Sequence, residues 1–121
     1  MSEFDANIPI YLQIMNLIKQ NIVNGSLKPG DRLPSVRDRA ENLSVNPNTV
    51  QRAYQELERE GISETRRGMG SFIVERDTLI SELRTEMAKA VMSTYIGGMR
   101  ALGFSDAEII KAPVNELGGK Q

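Results

Sequence analysis

The sequence predicts an α+β fold, mainly helical, divided into two parts near Arg76. Three observations predict it. Apolar residues recur with helical spacing from Ile10 onward, the pattern switches to short strands around glycines after Gly61, and a long helical stripe follows Arg76.

The first helix is expected over residues 10–24, with Ile14, Leu17, Ile18 and Ile22 on one face, Tyr11 and Met15 beside them, and Gly25 as the stop. Pro29-Gly30 forms a turn, and Leu33 makes a short apolar contact before Pro34. Ser35 is placed to cap a second helix over 36–42, whose inward positions are Val36, Ala40 and Leu43. Asn46-Pro47 then opens a third. The Asn oxygen accepts from first-turn amides, and Pro at the first helical position lacks an N–H that would have no partner there anyway. This helix runs to Glu60 and stops at Gly61. An interval of only 43–46 forces a sharp turn between the two, which is helix-turn-helix spacing.

Strands are expected over 62–66 and 71–75, flanking Arg67-Gly68-Met69-Gly70, whose glycines permit positive φ. A two-stranded hairpin directly after the third helix is a wing. From 77 to about 99 a long helix carries Leu79, Leu83, Met87, Val91 and Tyr95 in steps of four, weakened at its end by Gly97, Gly98 and Gly103. Ser105-Asp106-Ala107-Glu108 reads as a capping box opening a short final helix with Ile109 and Ile110, expected to stop near Pro113 before a frayed tail over 118–121. The expected organisation is a winged helix-turn-helix (three helices plus a two-stranded wing) over 1–76, followed by a small helical dimerisation module over 77–121.

Composition narrows the function. The chain has 121 residues, 40% hydrophobic and 26% charged, which suits a soluble globular domain. It contains no Cys and no His. That removes disulfides, thiolate nucleophiles, Cys/His zinc sites and the side chain best suited to proton transfer near neutral pH. With no carboxylate cluster or nucleophile elbow in the sequence, an enzyme is not expected, nor a cofactor or metal. The acidic Met1-Ser2-Glu3-Phe4-Asp5 start lacks the order of a signal peptide, and no apolar run approaches a membrane span, so a cytoplasmic location without membrane partners is expected.

The net charge of −1 argues at first against nucleic acid. Yet between Arg32 and Arg76 every basic residue is an arginine, and the face each one takes matters more than the total. If Val50, Ala53, Tyr54 and Leu57 face inward, the third helix shows Asn48, Gln51, Arg52, Gln55 and Arg59 outward. Amides such as Asn48 and Gln51 can pair with adenine edges, and the Arg52 fork suits guanine or phosphate. Asn48, Thr49, Gln51 and Arg52 lie in the N-terminal turns that enter a groove, whereas Glu56, Glu58 and Glu60 lie toward the far end. Backbone amides at the starts of the second and third helices, with the Ser35 and Thr49 hydroxyls, are expected to anchor phosphates, and Asn46 serves first as a cap and then as a phosphate contact. Arg37 stands near the groove entrance. The wing adds Arg66 and Arg67, with Gly68 and Gly70 allowing close backbone approach to DNA. Arg39 and Arg59 read as solvated surface charges.

The ordered set Leu27-Lys28-Pro29-Gly30-Asp31-Arg32-Leu33-Pro34-Ser35-Val36-Arg37, Asn46-Pro47-Asn48-Thr49-Val50-Gln51-Arg52-Ala53-Tyr54, and Arg67-Gly68-Met69-Gly70-Ser71-Phe72 resembles the winged helix-turn-helix of GntR-family transcription regulators. The short remainder, with Leu102-Gly103-Phe104-Ser105 before Glu108, resembles the YtrA subfamily. The resemblance implies DNA contacts through Arg37, Asn48, Thr49, Gln51 and the wing tip at Gly68 and Gly70, and a helical dimerisation module in place of a large effector domain. Pro47 stands where many relatives outside this subfamily have an Arg. Gln51 replaces another frequent Arg, while Arg52 supplies a guanidinium one residue later, roughly 100° around the helix.

The stripe of Leu79, Leu83, Met87, Val91 and Tyr95 has little core of its own to cover in so short a chain, so it is expected to pair with its copy in a second subunit. The expected function is therefore a homodimeric, sequence-specific repressor on an inverted-repeat site in double-stranded operator DNA. Two alternatives stand beside it: a winged-helix adaptor that binds protein, and a sensor holding an unknown small-molecule effector between the C-terminal helices.

Overall fold

A computed structural model describes residues 4–118. The elements, in order, are α1 Ile10–Val23, α2 Val36–Leu43, α3 Pro47–Arg59, β1 Ser63–Arg66, β2 Gly70–Ile73, α4 Leu79–Ala101 and α5 Asp106–Glu116. The chain divides into two units, one ending at Leu83 and the other beginning at Arg84.

In the first unit, α1 lays Ile14, Met15, Ile18 and Ile22 into the core, with Leu17 only half-buried. Met15 therefore takes the core position expected of Leu17. Against them pack Val50, Ala53, Tyr54 and Leu57 from α3, together with Leu33, Ala40, Ile62 and Ile73. Burying an aliphatic side chain of this size contributes about 1.5–3 kcal/mol, so the α1–α3 seam is the main source of rigidity beneath the exposed side of α3.

The turn between α2 and α3 consists of Ser44, Val45 and Asn46. Ser44 closes α2 in the left-handed conformation at φ +57°. Its N–H and that of Val45 return to carbonyls of the last turn of α2, the Val45 bond reaching the Ala40 oxygen at 3.0 Å. Such a cap satisfies carbonyls that the helix end leaves open. Val45 packs on the core and pins the turn.

β1 and β2 pair antiparallel, with Arg66 opposite Gly70 and Ser63 opposite Ile73. The expected turn before Pro34 does more than connect. Gly30 N–H donates to the Ile73 carbonyl, Leu33 N–H to the Ser71 carbonyl, and Ile73 N–H to the Asp31 carbonyl, each at 2.8 Å, so residues 30–33 cover the outer edge of β2. At the base of the wing Arg76 binds the Gly61 carbonyl at 3.1 Å and the Glu82 carboxylate at 2.9 Å.

Two expectations about the fourth helix are corrected. Leu79 and Leu83, assigned to an intersubunit stripe, are 0% and 4% exposed and belong to the core of the first unit. The start of α4 thus contributes to the same core cluster that holds Ile62 and Ile73. For the same reason the first unit extends through Leu83 and does not close at residue 76.

In the second unit, Ser105 caps α5 by accepting from Glu108 N–H at 3.2 Å, while Glu108 accepts from Ser105 N–H at 2.9 Å, which completes the expected capping box. The helix does not stop near Pro113 but continues to Glu116. Pro113 has no N–H for the Ile109 carbonyl four residues earlier. That carbonyl instead accepts the Tyr95 hydroxyl of α4 at 2.7 Å, so the vacancy made by the proline is filled from the neighbouring helix. The expected fraying over 118–121 lies outside the described residues from 119 onward.

Candidate nucleic-acid interface

α3 begins where the sequence requires it to begin. Asn46 Oδ1 accepts from the Asn48 N–H at 2.7 Å, and Pro47 occupies the first helical position. Val50, Ala53, Tyr54 and Leu57 face the core, which leaves Asn48, Gln51, Arg52, Gln55 and Arg59 exposed on the other side. Thr49 is half-buried at the edge.

Tyr54 sets the angle at which this surface is presented. Its hydroxyl donates to the Pro34 carbonyl just before α2 at 2.6 Å and accepts from Arg39 Nε at 3.4 Å. Burial raises the pKa of the phenol, and the neighbouring Arg39 opposes that rise only in part. Arg39, read from sequence as a solvated charge, is half-buried and holds α2 against α3. Arg59 keeps the surface reading in a 3.3 Å pair with Glu56.

The acids near the end of α3 are occupied. Glu60 pairs with Lys19 of α1 at 2.8 Å, and Glu58 accepts the Thr65 hydroxyl at 2.6 Å. A net charge of −1 is thus compatible with an uncancelled cationic surface. Arg37 in the first turn of α2 and Arg67 at the wing tip are exposed, and neither pairs with a carboxylate among the described residues.

The helix starts offer fewer phosphate anchors than expected. Pro47 has no N–H, that of Asn48 is held by Asn46, and that of Thr49 bonds the Asn46 carbonyl at 2.9 Å. Ser35 Oγ accepts from Asp38 N–H at 3.0 Å, so in α2 only the amides before Asp38 stay open to an anion, together with the Ser35 O–H as a donor.

On the wing, Met69 N–H returns to the Arg66 carbonyl at 2.8 Å, leaving Arg67-Gly68-Met69 as the tip, with Gly68 at φ +75° and Gly70 at φ +108°. Arg66, read from sequence as a wing cation beside Arg67, is held at 3.1 Å by Glu64 and at 3.6 Å by Glu75, and lies 4.1 Å from the centroid of the Phe72 ring. It braces the wing. Two residues outside the predicted contacts belong to this surface. Arg32, on the segment that edges β2, lays its guanidinium against Gly70, where an added Cβ would stand 3.2 Å from its Nε. Tyr11 of α1 carries the Arg52 guanidinium. The edge pairing of residues 30–33 that brings Arg32 to Gly70 is long-range, so no local pattern announces it.

Fold and surface together define a class: a winged helix-turn-helix protein whose third helix presents an exposed polar face, with Asn48, Gln51, Arg52 and Gln55, over a packed apolar seam. Residues 10–73 match the profile of the gntR family of bacterial regulatory proteins. The chain is 44% identical over 110 residues to an uncharacterised HTH-type transcriptional regulator, YhcF, of Bacillus subtilis (strain 168), covering 91% of each chain. It is 47% identical over 92 residues to the HTH-type transcriptional repressor YtrA of the same organism, covering 75% of this chain and 71% of that one. A GntR family transcriptional regulator from Listeria monocytogenes superposes with a TM-score of 0.82 at 42% identity, over 93% of this chain and 98% of the other. The chain belongs to the GntR family of bacterial transcription regulators, in its YtrA subfamily. It is a DNA-binding regulator and not an enzyme.

Proposed function

We propose that the protein is a homodimeric repressor that occupies an inverted-repeat operator in the cytoplasm. The observation that carries this reading is the exposed row Asn48, Gln51 and Gln55 on α3, together with the exposed Arg37 in the first turn of α2 and Arg67 at the wing tip. Asn48 and Gln51 would enter the major groove, with the Arg52 guanidinium beside them at the groove edge and Thr49 at the edge of the helix. Arg37, Ser35 and Asn46 would meet the phosphate rail beside it, and Arg67, Gly68 and Gly70 would reach the adjoining backbone or minor groove. The similarity to a YtrA repressor supports the sign of regulation.

The dimer reading rests on the second unit. Met87, Ala88, Val91, Met92, Tyr95, Met99, Ala112 and Pro113, with Glu116, line an open and mainly apolar groove of about 720 Å³, and Val91 is 70% exposed. An apolar surface of this kind on a small chain is best covered by a symmetric copy. With Leu79 and Leu83 in the core, the proposed interface reduces to Met87, Val91 and Tyr95 and the groove around them. A volume of this size also suits a small apolar effector, the second reading of the same groove. No helix among the described residues is long and apolar enough to cross a membrane.

The test is selection from a random duplex library, followed by binding across a salt series and sedimentation of the free protein. A two-fold symmetric motif, affinity that falls steeply with salt, and a dimer in solution are expected. A monomer indifferent to sequence overturns the reading and favours an adaptor.

A further inference from the structure

The Arg52 guanidinium carbon lies 4.0 Å from the centroid of the Tyr11 ring, and its Nη2 donates to the Tyr11 hydroxyl at 3.4 Å. Tyr11 is half-buried in the first turn of α1, whereas Arg52 is exposed on α3. Both belong to the first unit. The contact therefore reaches across two helices already locked together by Ile14, Ile18, Val50 and Ala53. Arg52 has no carboxylate partner among the described residues, so its place is set by the ring and not by an ion pair.

We infer that Tyr11 is a positioning residue for DNA binding, whose ring holds Arg52 as a clamp on a backbone phosphate and leaves base reading to Asn48 and Gln51. The inference rests on the reading of α3 proposed above. A free arginine beside a groove spends its reach and its rotamer freedom on docking. Here the side chain has been laid sideways toward α1, which shortens its extension into the groove. Stacking covers one face of the guanidinium but leaves most of its in-plane N–H donors open, and an edge of parallel N–H groups is the geometry that grips a phosphate. Asn48 and Gln51 are not engaged in this way and point out from the helix with their amides available. The placement also gives a use to a guanidinium that stands one residue after Gln51.

The test uses the full chain and the duplex selected by the parent protein. Affinity is measured against salt for the parent, Tyr11→Phe, Tyr11→Leu, Arg52→Gln and the Tyr11→Leu/Arg52→Gln double variant, and each single variant is put through its own selection. Arg52→Gln should lower the slope of log affinity against log salt by about 0.9, the signature of one lost phosphate contact, while selecting the same sequence. Tyr11→Leu should weaken binding by about two- to five-fold, the size of an exposed cation–π contact, and Tyr11→Phe should keep nearly all of the affinity. In the Arg52→Gln background Tyr11→Leu should cost nothing. A loss that persists there, as a general loosening of α1 would produce, overturns the proposal. So does an Arg52→Gln protein that keeps the parent salt slope but selects a different base, because Arg52 would then be a base reader. A parent protein that selects no duplex overturns the DNA reading itself, an outcome distinct from a binding parent whose Tyr11 variants match it.

Discussion

The Tyr54 hydroxyl of α3 donates a 2.6 Å hydrogen bond to the Pro34 carbonyl, 20 residues earlier in the chain. The bond joins the recognition helix to the segment that launches α2, so the angle between the two helices depends on one phenol and not on the turn alone. Arg39 closes the arrangement from α2 by donating to the same oxygen.

Tyr54→Phe should therefore cost about 1–2 kcal/mol, one hydrogen bond plus a carbonyl left without its partner, measured by urea unfolding near neutral pH. The parent should also carry an alkaline dependence that the variant lacks. Because burial raises the Tyr54 pKa, the native state holds the phenolic proton more tightly than the unfolded chain does. That stabilisation is fully present below the ordinary tyrosine value of about 10 and is lost as pH rises through the raised value. Equal slopes for parent and variant between pH 9 and 11 would contradict this assignment.

Asn46 both opens α3 and lies at the proposed DNA edge. Asn46→Ala removes the acceptor for the Asn48 N–H and should destabilise by about 1 kcal/mol, whereas Asn46→Gly should cost only a few tenths. Asn46→Asp should keep the cap yet weaken DNA binding, since a carboxylate beside phosphate repels it. Paired denaturation and anisotropy measurements separate the two roles.

The two wing glycines should differ. Gly68→Ala meets open space and carries only the strain of φ +75°. Gly70→Ala combines φ +108° with a Cβ 3.2 Å from Arg32 Nε, so it must displace the Arg32 side chain as well. The left-handed strain costs about 1–2 kcal/mol in each case, and Gly70→Ala should exceed Gly68→Ala in chemical denaturation. Equal costs would show that Arg32 moves aside freely.

Tyr95 and Pro113 should be coupled. Tyr95→Phe strips the Ile109 carbonyl of its partner and should cost about 1 kcal/mol in the second unit. In a Pro113→Ala background the restored backbone N–H can serve that carbonyl, and the same substitution should cost distinctly less. Hydrogen exchange of the α5 amides reads the difference locally. Additive effects would separate the two residues.

Ser63 is 3% exposed, and its Oγ finds no hydrogen-bond partner among the described residues. Ser63→Ala removes a buried hydroxyl without leaving another group unpaired, so its expected effect on stability is neutral to slightly favourable. A loss above about 1 kcal/mol in thermal or urea unfolding would reveal a partner for that hydroxyl.

What could be read directly from the chain was whatever depends on neighbours a few residues apart. The caps at Ser35, Asn46 and Ser105, the apolar faces of α1 and α3, and the glycine-bearing wing loop all follow from spacings of two to four residues, the range over which helical turns and hairpins are set. The outward row Asn48, Gln51 and Gln55 followed from the inward row Val50, Tyr54 and Leu57 by the same geometry. Tertiary contact decided the rest. Leu79 and Leu83 share a stripe with Val91, and periodicity cannot distinguish a residue that covers its own domain from one left exposed. Only membership of the first unit's core separates them, Leu79 and Leu83 being buried in it and Val91 left exposed. The same holds for the arginines, whose long stems let identical side chains end on a ring at Tyr11, on a phenol at Tyr54, between two carboxylates at Glu64 and Glu75, or in open solvent. The Tyr11, Tyr54 and Glu75 ends of these contacts are distant in sequence or on the facing side of the hairpin, with only Glu64 a near neighbour, and charge and reach alone do not choose among the destinations.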